Sequence, residues 1–246
     1  MPFTFAHPAA VVPLGRWLRL PGLVAGSLAP DIAYYVPIPG GDLTHEPVGL
    51  VSVDLLLGMA LVAVGYAVLA PVLALGPAGW RERVPRPVYR FPWPGSVVVG
   101  AATHLVWDAF THTDGFAVRH WAWLRVSVVG PHRLYNVLGY VSSAGGLAVL
   151  AVLVVRWYRR APRATRAWPV LPRTGRLVVA AGLGAGLVVG ALLGLTDPVS
   201  RVSEYDWVRC LLIGAVRGAA AAAAGYVLAW PLVGRRLRSE VQHQAG

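Results

Sequence analysis

His104, Asp108 and His112 recur at intervals of four in residues 103 to 112, which read Thr-His-Leu-Val-Trp-Asp-Ala-Phe-Thr-His. On a helix a step of four rotates a side chain by only about 40°, so all three share a face. Neutral imidazole and carboxylate are good ligands for zinc and related divalent ions, and a His/Asp pair at i, i+4 can hold one ion. A straight helix cannot bring all three to a single ion. At about 1.5 Å rise per residue, His104 and His112 stand roughly 12 Å apart. Either two of them ligate and the third supports, or two ions are bound. The same face could instead line a watery cavity, carry ions or protons, or brace neighbouring helices.

More donors lie upstream. His7 sits in Phe5-Ala6-His7-Pro8, Asp31 follows Pro30, and His45 and Glu46 follow Thr44. Each alone has an ordinary reading as a helix cap, an interfacial turn or an exposed loop. Together they add imidazoles and a carboxylate before the His104 segment. Asp108 or Glu46 could act as general base. Asp54, at the head of an apolar run, could pair with an arginine or tune a ligand, and Arg217 interrupts another run. No Ser-His-Asp context, phosphate-binding glycine loop or dinucleotide fingerprint is present. The single cysteine, Cys210, excludes an intramolecular disulfide and a cysteine zinc site.

These residues must be positioned by apolar helices. The 246-residue chain is 56% hydrophobic and only 13% charged, with mean hydropathy +0.57. An average soluble domain carries about 25% charge, so too little is available to coat a globule. A membrane helix needs roughly 20 apolar residues. Tyr135–Val155, Leu177–Leu195, Val208–Val233 and Val51–Gly76 qualify, and Pro94–Thr111 is a shorter fifth. Leu20–Ile38, broken by Pro21, Pro30 and Pro37, is a poor sixth span or a re-entrant segment. If it spans, His7 begins on the far side of the membrane from Asp31 and His45; if it is re-entrant, His7 can join them. The expected fold is therefore an all-α polytopic helix bundle of five to six spans. It forms one membrane domain over 1–246, in which 1–115 bears the motifs and 116–246 adds packing helices. Gly182, Gly186, Gly190 and Gly194 line one helix face, and Gly214 and Gly218 another. Such faces let a second helix approach closely, within the chain or in a homo-oligomer.

All 22 basic residues are arginines, against 11 acids. This usage, with abundant Ala, Gly, Pro and Val, suits a GC-rich bacterial genome. The excess could suggest nucleic acid, but its placement follows membrane topology. Arg81, Arg83, Arg86 and Arg90 fill one loop; Arg156, Arg159, Arg160, Arg163, Arg166, Arg173 and Arg176 fill another; Arg235, Arg236 and Arg238 fill the tail. The spans alternate so that these regions share a side. The positive-inside rule makes that side cytoplasmic, with the C-terminus inside and no nucleic-acid partner expected. Asp31, His45, Asp108 and His112 then face outward. Arg119, Arg125 and Arg133 depart from the pattern. Nearby His120, His132, Trp121 and Trp123 read as an interfacial loop. His243 lies in a polar tail. No secretory leader is expected at the N-terminus.

The opening Met1-Pro2-Phe3-Thr4-Phe5-Ala6-His7-Pro8-Ala9 resembles the start of a bacterial multipass membrane family, the domain-of-unknown-function family numbered 4184. So do Gly26-Ser27-Leu28-Ala29-Pro30-Asp31, Thr44-His45 with Asp54 beyond it, and the stretch from Thr103 to Gly115. The resemblance covers about the first half; the second half is similar only in being hydrophobic. The motif order is also similar to that of membrane-bound metal-dependent hydrolases and, more distantly, bacterial zinc-dependent phospholipase C. That resemblance implies His7, Asp31, His45, His104 and Asp108 as metal ligands, whereas His112 fits the first family's Thr-His better. It implies one or two divalent ions, zinc by preference, and hydrolysis of a lipid or phosphoester near the outer face of the cytoplasmic membrane. The reading from a different class is a non-enzymatic transporter or assembly partner, with the His/Asp cluster as an ion path or helix brace.

Overall fold

A computed structural model of the chain describes residues 3–87, 93–164 and 168–243, with side chains described as far as residue 232. Met1, Pro2, Arg90 and Arg166 lie outside the described residues, as do the side chains of Arg235, Arg236, Arg238 and His243. The protein is all-α apart from one small hairpin. Its helices are α1 (Pro8–Val11), α2 (Leu20–Leu28), α3 (Ile32–Tyr35), α4 (Val53–Leu75), α5 (Ala78–Arg83), α6 (Pro94–Thr111), α7 (Phe116–His120), α8 (Leu134–Arg160), α9 (Arg173–Gly194) and α10 (Glu204–His243). β1 (Ser127–Val129) pairs antiparallel with β2 (His132–Arg133).

Four helices among the described residues are long and apolar enough to cross a membrane: α4, α8, α9 and α10 over Glu204–Leu232. The expected count of five to six is therefore high. Pro94–Thr111 does form a helix, α6, but His104 and Asp108 dilute its apolar character below that of the other four. Leu20–Ile38 is not among them. Its regular part, α2, has nine residues, about 14 Å at 1.5 Å per residue, against a hydrocarbon core of about 30 Å. Pro30 then opens a 3₁₀ turn, Ala29–Asp31, and a single turn of α3 follows.

The chain divides into two compact units: residues 1–64 with 88–161, and residues 65–87 with 162–246. The division falls inside α4, and α8 lies in the first unit. In that first unit α2 packs tightly on α6 because glycines remove the side chains between them. A Cβ on Gly26 would collide with the Val97 carbonyl, and one on Gly100 with the Leu23 carbonyl. Backbone thus meets backbone, with Leu23 and Val97 fully buried beside it.

In the second unit the glycine face of α9 meets α10. Gly186, Gly190 and Gly194 lie against Gly218, Gly214 and the Cys210 carbonyl, while Gly182 has open space. Three of the four α9 glycines are thus occupied within the chain. Two arginine-rich loops also meet here. Ala164 N–H donates to the Glu82 carbonyl (2.6 Å), the Trp168 indole to Val84 (2.7 Å) and Leu171 N–H to Ala74 (3.0 Å).

The α9–α10 seam yields a contrast. Gly190→Leu must push a side chain into the Gly214 backbone, an overpacking that costs about 1–3 kcal/mol. It is expected to lower the melting temperature of the detergent-solubilised protein by several degrees. Gly182→Leu, in open space, is expected to leave it near wild type.

Candidate metal centre

Three elements of the first unit bring the polar residues together: the turn after α2, the loop before α4, and α6. Asp31 ends the 3₁₀ turn that follows α2. His45 follows Gly41–Leu43, a short 3₁₀ turn entered through Gly40 at φ +74°, a backbone conformation that favours glycine. His104 and Asp108 lie one turn apart on the buried face of α6. One ligand atom each from Asp31, His45, His104 and Asp108 falls within 4.8 Å of all the others. Asp31 and His104 are 2% and 0% exposed, so this is an interior cluster and not a chance gathering of surface acids.

In each imidazole, Nδ1 is held from outside the cluster. His104 Nδ1 donates to the Ser27 carbonyl at 2.8 Å. Ser27 lies in the last turn of α2, where carbonyls lack helical partners. His45 Nδ1 donates to the Thr44 hydroxyl at 3.1 Å, and that hydroxyl donates in turn to the Gly41 carbonyl at 2.9 Å. His7 Nδ1 donates to the Thr4 carbonyl at 3.1 Å. With the Nδ1 protons so placed, each Nε2 turns a lone pair inward. Outer hydrogen bonds of this kind fix the tautomer and orientation of metal-binding histidines.

What the Nε2 atoms face is negative. His104 Nε2 is 3.4 Å from Asp31 Oδ1 and 3.4 Å from Asp108 Oδ2; His45 Nε2 is 3.6 and 3.8 Å from the same two oxygens. These separations exceed the usual 2.7–3.2 Å of an N–H···O bond. Accordingly Asp31 Oδ1, His45 Nε2 and His104 Nε2 are buried with no hydrogen-bond partner. Bonds of about 2.1 Å at tetrahedral angles would set donor atoms about 3.4 Å apart, so the spacing suits four ligands around one small ion. The His7 and His104 rings stack with centroids 3.9 Å apart, an arrangement that two imidazolium charges would oppose. The four donors could hold a metal ion.

Of the six predicted ligands, four form this group. His7 joins its edge: it is 1% exposed, and its Nε2 is 3.4 Å from Asp108 Oδ1, the oxygen turned away from His104. His112 does not join. Its Nδ1 bonds the Asp114 carboxylate, in keeping with its distance along the helix from His104. Glu46 is exposed and lines an adjoining cavity of about 830 Å³, which also holds His45, Asp108, His112, Tyr34 and Arg119. Burial first, and then the charges of Asp31 and Asp108, push the Tyr34 hydroxyl up to about 12, so it remains a proton donor. Asp54 is fully buried; neither oxygen has a hydrogen-bond partner, and no ion pair with arginine is present among the described residues. The outer anchors Thr4, Ser27 and Thr44 escape sequence reasoning, although Thr44 stands beside His45 in the motif. Backbone carbonyls carry no residue signature.

The chain belongs to the family described as domain of unknown function (DUF4184), which matches residues 1–229. The match extends well beyond the first half, so α8, α9 and most of α10 are family features too. No curated protein and no solved structure matches the chain.

Thr44→Val removes the acceptor that orients His45. Loss of such an outer partner typically weakens metal binding about 10–100-fold. That loss is expected in zinc competition against a chromophoric chelator, with Thr44→Ser, which keeps the hydroxyl, near wild type.

Proposed function

We propose that the protein is a membrane-embedded, metal-dependent hydrolase that binds one divalent ion, zinc by preference, through Asp31, His45, His104 and Asp108. The observation that carries the reading is the set of buried, unpartnered Nε2 and carboxylate atoms at ligand spacing. The donor set, imidazole with carboxylate, suits zinc and excludes no first-row divalent ion. Such an ion lowers the pKa of a bound water towards about 7 and polarises a phosphoryl or acyl oxygen.

This chain's own residues supply the rest. His45 and Asp108 line the cavity whereas Asp31 and His104 do not, so a substrate in it meets the centre from the side of His45 and Asp108. Asp108 has both oxygens against imidazoles, Oδ1 facing His7 and Oδ2 facing His104, which makes it a ligand and a poor general base. Glu46 lines the same cavity outside the ligand group and is the carboxylate available to take a proton from attacking water. Tyr34, still protonated, can donate a hydrogen bond to a developing oxyanion. The cluster and its cavity are assigned to the outer face of the cytoplasmic membrane, with the C-terminus inside, on the arginine distribution. The substrate class is a lipid or phosphoester, in line with the cavity's size and mixed lining.

Protein purified in mild detergent without chelator is expected to carry near-stoichiometric metal by mass spectrometry. His104→Ala and Asp108→Ala should remove it, while His112→Ala should retain it. Metal should leave as pH falls below the ordinary imidazole range of about 6.5, because the ligating nitrogens must be unprotonated. Metal-dependent turnover of an activated phosphodiester or ester, lost in Glu46→Gln without loss of metal, would complete the case. A folded wild type that takes up no zinc, manganese or iron would sink it in favour of an ion path or helix brace.

A further inference from the structure

The segment joining α6 to α8 has a small core of its own and still turns large apolar side chains outward. Ala117, Val118, Leu124 and Tyr135 are buried together. Around them Phe116, Trp121, Trp123, Val126, Val128 and Val129 are exposed, Phe116 by 64% and Trp123 by 54%. Trp121 and Trp123 stack with centroids 6.0 Å apart, and Phe110 lies 5.6 Å from Trp121. Gly130, at φ +51°, turns the β1–β2 hairpin and holds Val128 and Val129 out. The segment is therefore folded, and its apolar surface is not a by-product of a loose loop. An apolar patch of this kind rimmed by charge marks an interaction surface.

Its position says which surface. The segment ends where α8 begins, and α8 is one of the helices long and apolar enough to span a bilayer. The end of a spanning helix lies where hydrocarbon gives way to headgroups, the layer that favours tryptophan. Arg119, Arg125 and Arg133 are interleaved with the aromatic residues. They are the arginines that the inside–outside pattern leaves unexplained, and lipid phosphate is the complementary charge available at either membrane face.

Phe116 and Arg119 belong at the same time to the cavity that contains His45 and Asp108. Its lining also includes Ala33, Pro37, Ile38 and Leu105, an apolar wall suited to the upper part of an acyl chain. We propose that Phe116–Arg133 is a phospholipid-binding element, with Arg119 holding the phosphate of a lipid whose head lies in the cavity beside His45 and Asp108. The lipid contact stands on these observations alone; that the bound lipid is also the substrate rests on the metal-centre reading.

Free phosphate fits less well. Asp42, Glu46, Asp108 and Asp114 share the cavity lining with Arg119, so a small dianion meets a wall with more negative groups than positive ones. A phosphodiester lipid brings a single phosphate charge and apolar chains that cover Phe116 and the aliphatic wall.

The test uses the full chain in an uncharged maltoside detergent. Calorimetry measures binding of dihexanoyl phosphatidylglycerol, of dihexanoylglycerol, which lacks the phosphate, and of inorganic phosphate, with zinc content measured on the same samples. Wild type should bind the phospholipid. Arg119→Ala, an exposed position, should weaken it about tenfold or more through loss of a charge-assisted hydrogen bond, and Arg119→Lys should recover part of that. Dihexanoylglycerol should bind weakly and equally to wild type and Arg119→Ala, and inorganic phosphate should not displace the phospholipid at equal concentration. Absence of phospholipid binding, equal affinity in wild type and Arg119→Ala, or displacement by inorganic phosphate would each overturn the proposal. Zinc binding with no phospholipid binding defeats this proposal alone. Phospholipid binding dependent on Arg119 in a protein that takes no metal supports it and defeats the hydrolase reading alone.

Discussion

Two carboxylates and three imidazoles are gathered within the first unit, and much of that unit is arranged to hold them. Asp31 and Asp108 are buried against Nε2 atoms that cannot donate to them while Nδ1 holds the ring proton. Desolvating such a group without compensation would cost several kcal/mol per charge. The anchoring therefore comes from outside the cluster: the Ser27 carbonyl for His104, the Thr44 hydroxyl for His45, and the Thr4 carbonyl for His7. Each is a polar group already fixed by local structure, so the fold itself orients each ring.

Helix packing follows from the same requirement. For Ser27 to meet His104, α2 and α6 must approach to backbone contact, and Gly26 and Gly100 permit it. A bulky pair there would push the Ser27 carbonyl away and free the His104 ring. His7, which precedes α2, stacks on His104 with ring centroids 3.9 Å apart. The second unit solves a simpler problem. Its α9–α10 seam is made by glycines, and its arginine loops are pinned to one another by backbone hydrogen bonds. It contributes none of the cluster's ligands.

The cavity and the aromatic segment after α6 share Phe116 and Arg119, both on one short helix, α7. Ala117 and Val118 of that helix are buried while Phe116 and Arg119 are exposed. The short helix thus gives one face to the fold and the other to the cavity.

The residues show their types and spacing openly. Apolar runs mark α4, α8, α9 and α10 close to their observed bounds, because hydrocarbon thickness sets a length that composition must match. His104 and Asp108 share a face through helical period alone, and the same rise keeps His112 away from their partner group. Period and hydropathy act within one element, so sequence alone determines them. Sequence leaves open whether His7 reaches the other donors. It also does not join Asp31 and His45 to α6, or identify a Ser27 carbonyl and a Thr44 hydroxyl as anchors. Those depend on contacts between residues distant in the chain, made possible by two glycines whose importance appears only when another backbone lies against them. Tertiary structure decides them because a lone pair's partner is a matter of distance in space, and the order of residues does not encode it directly.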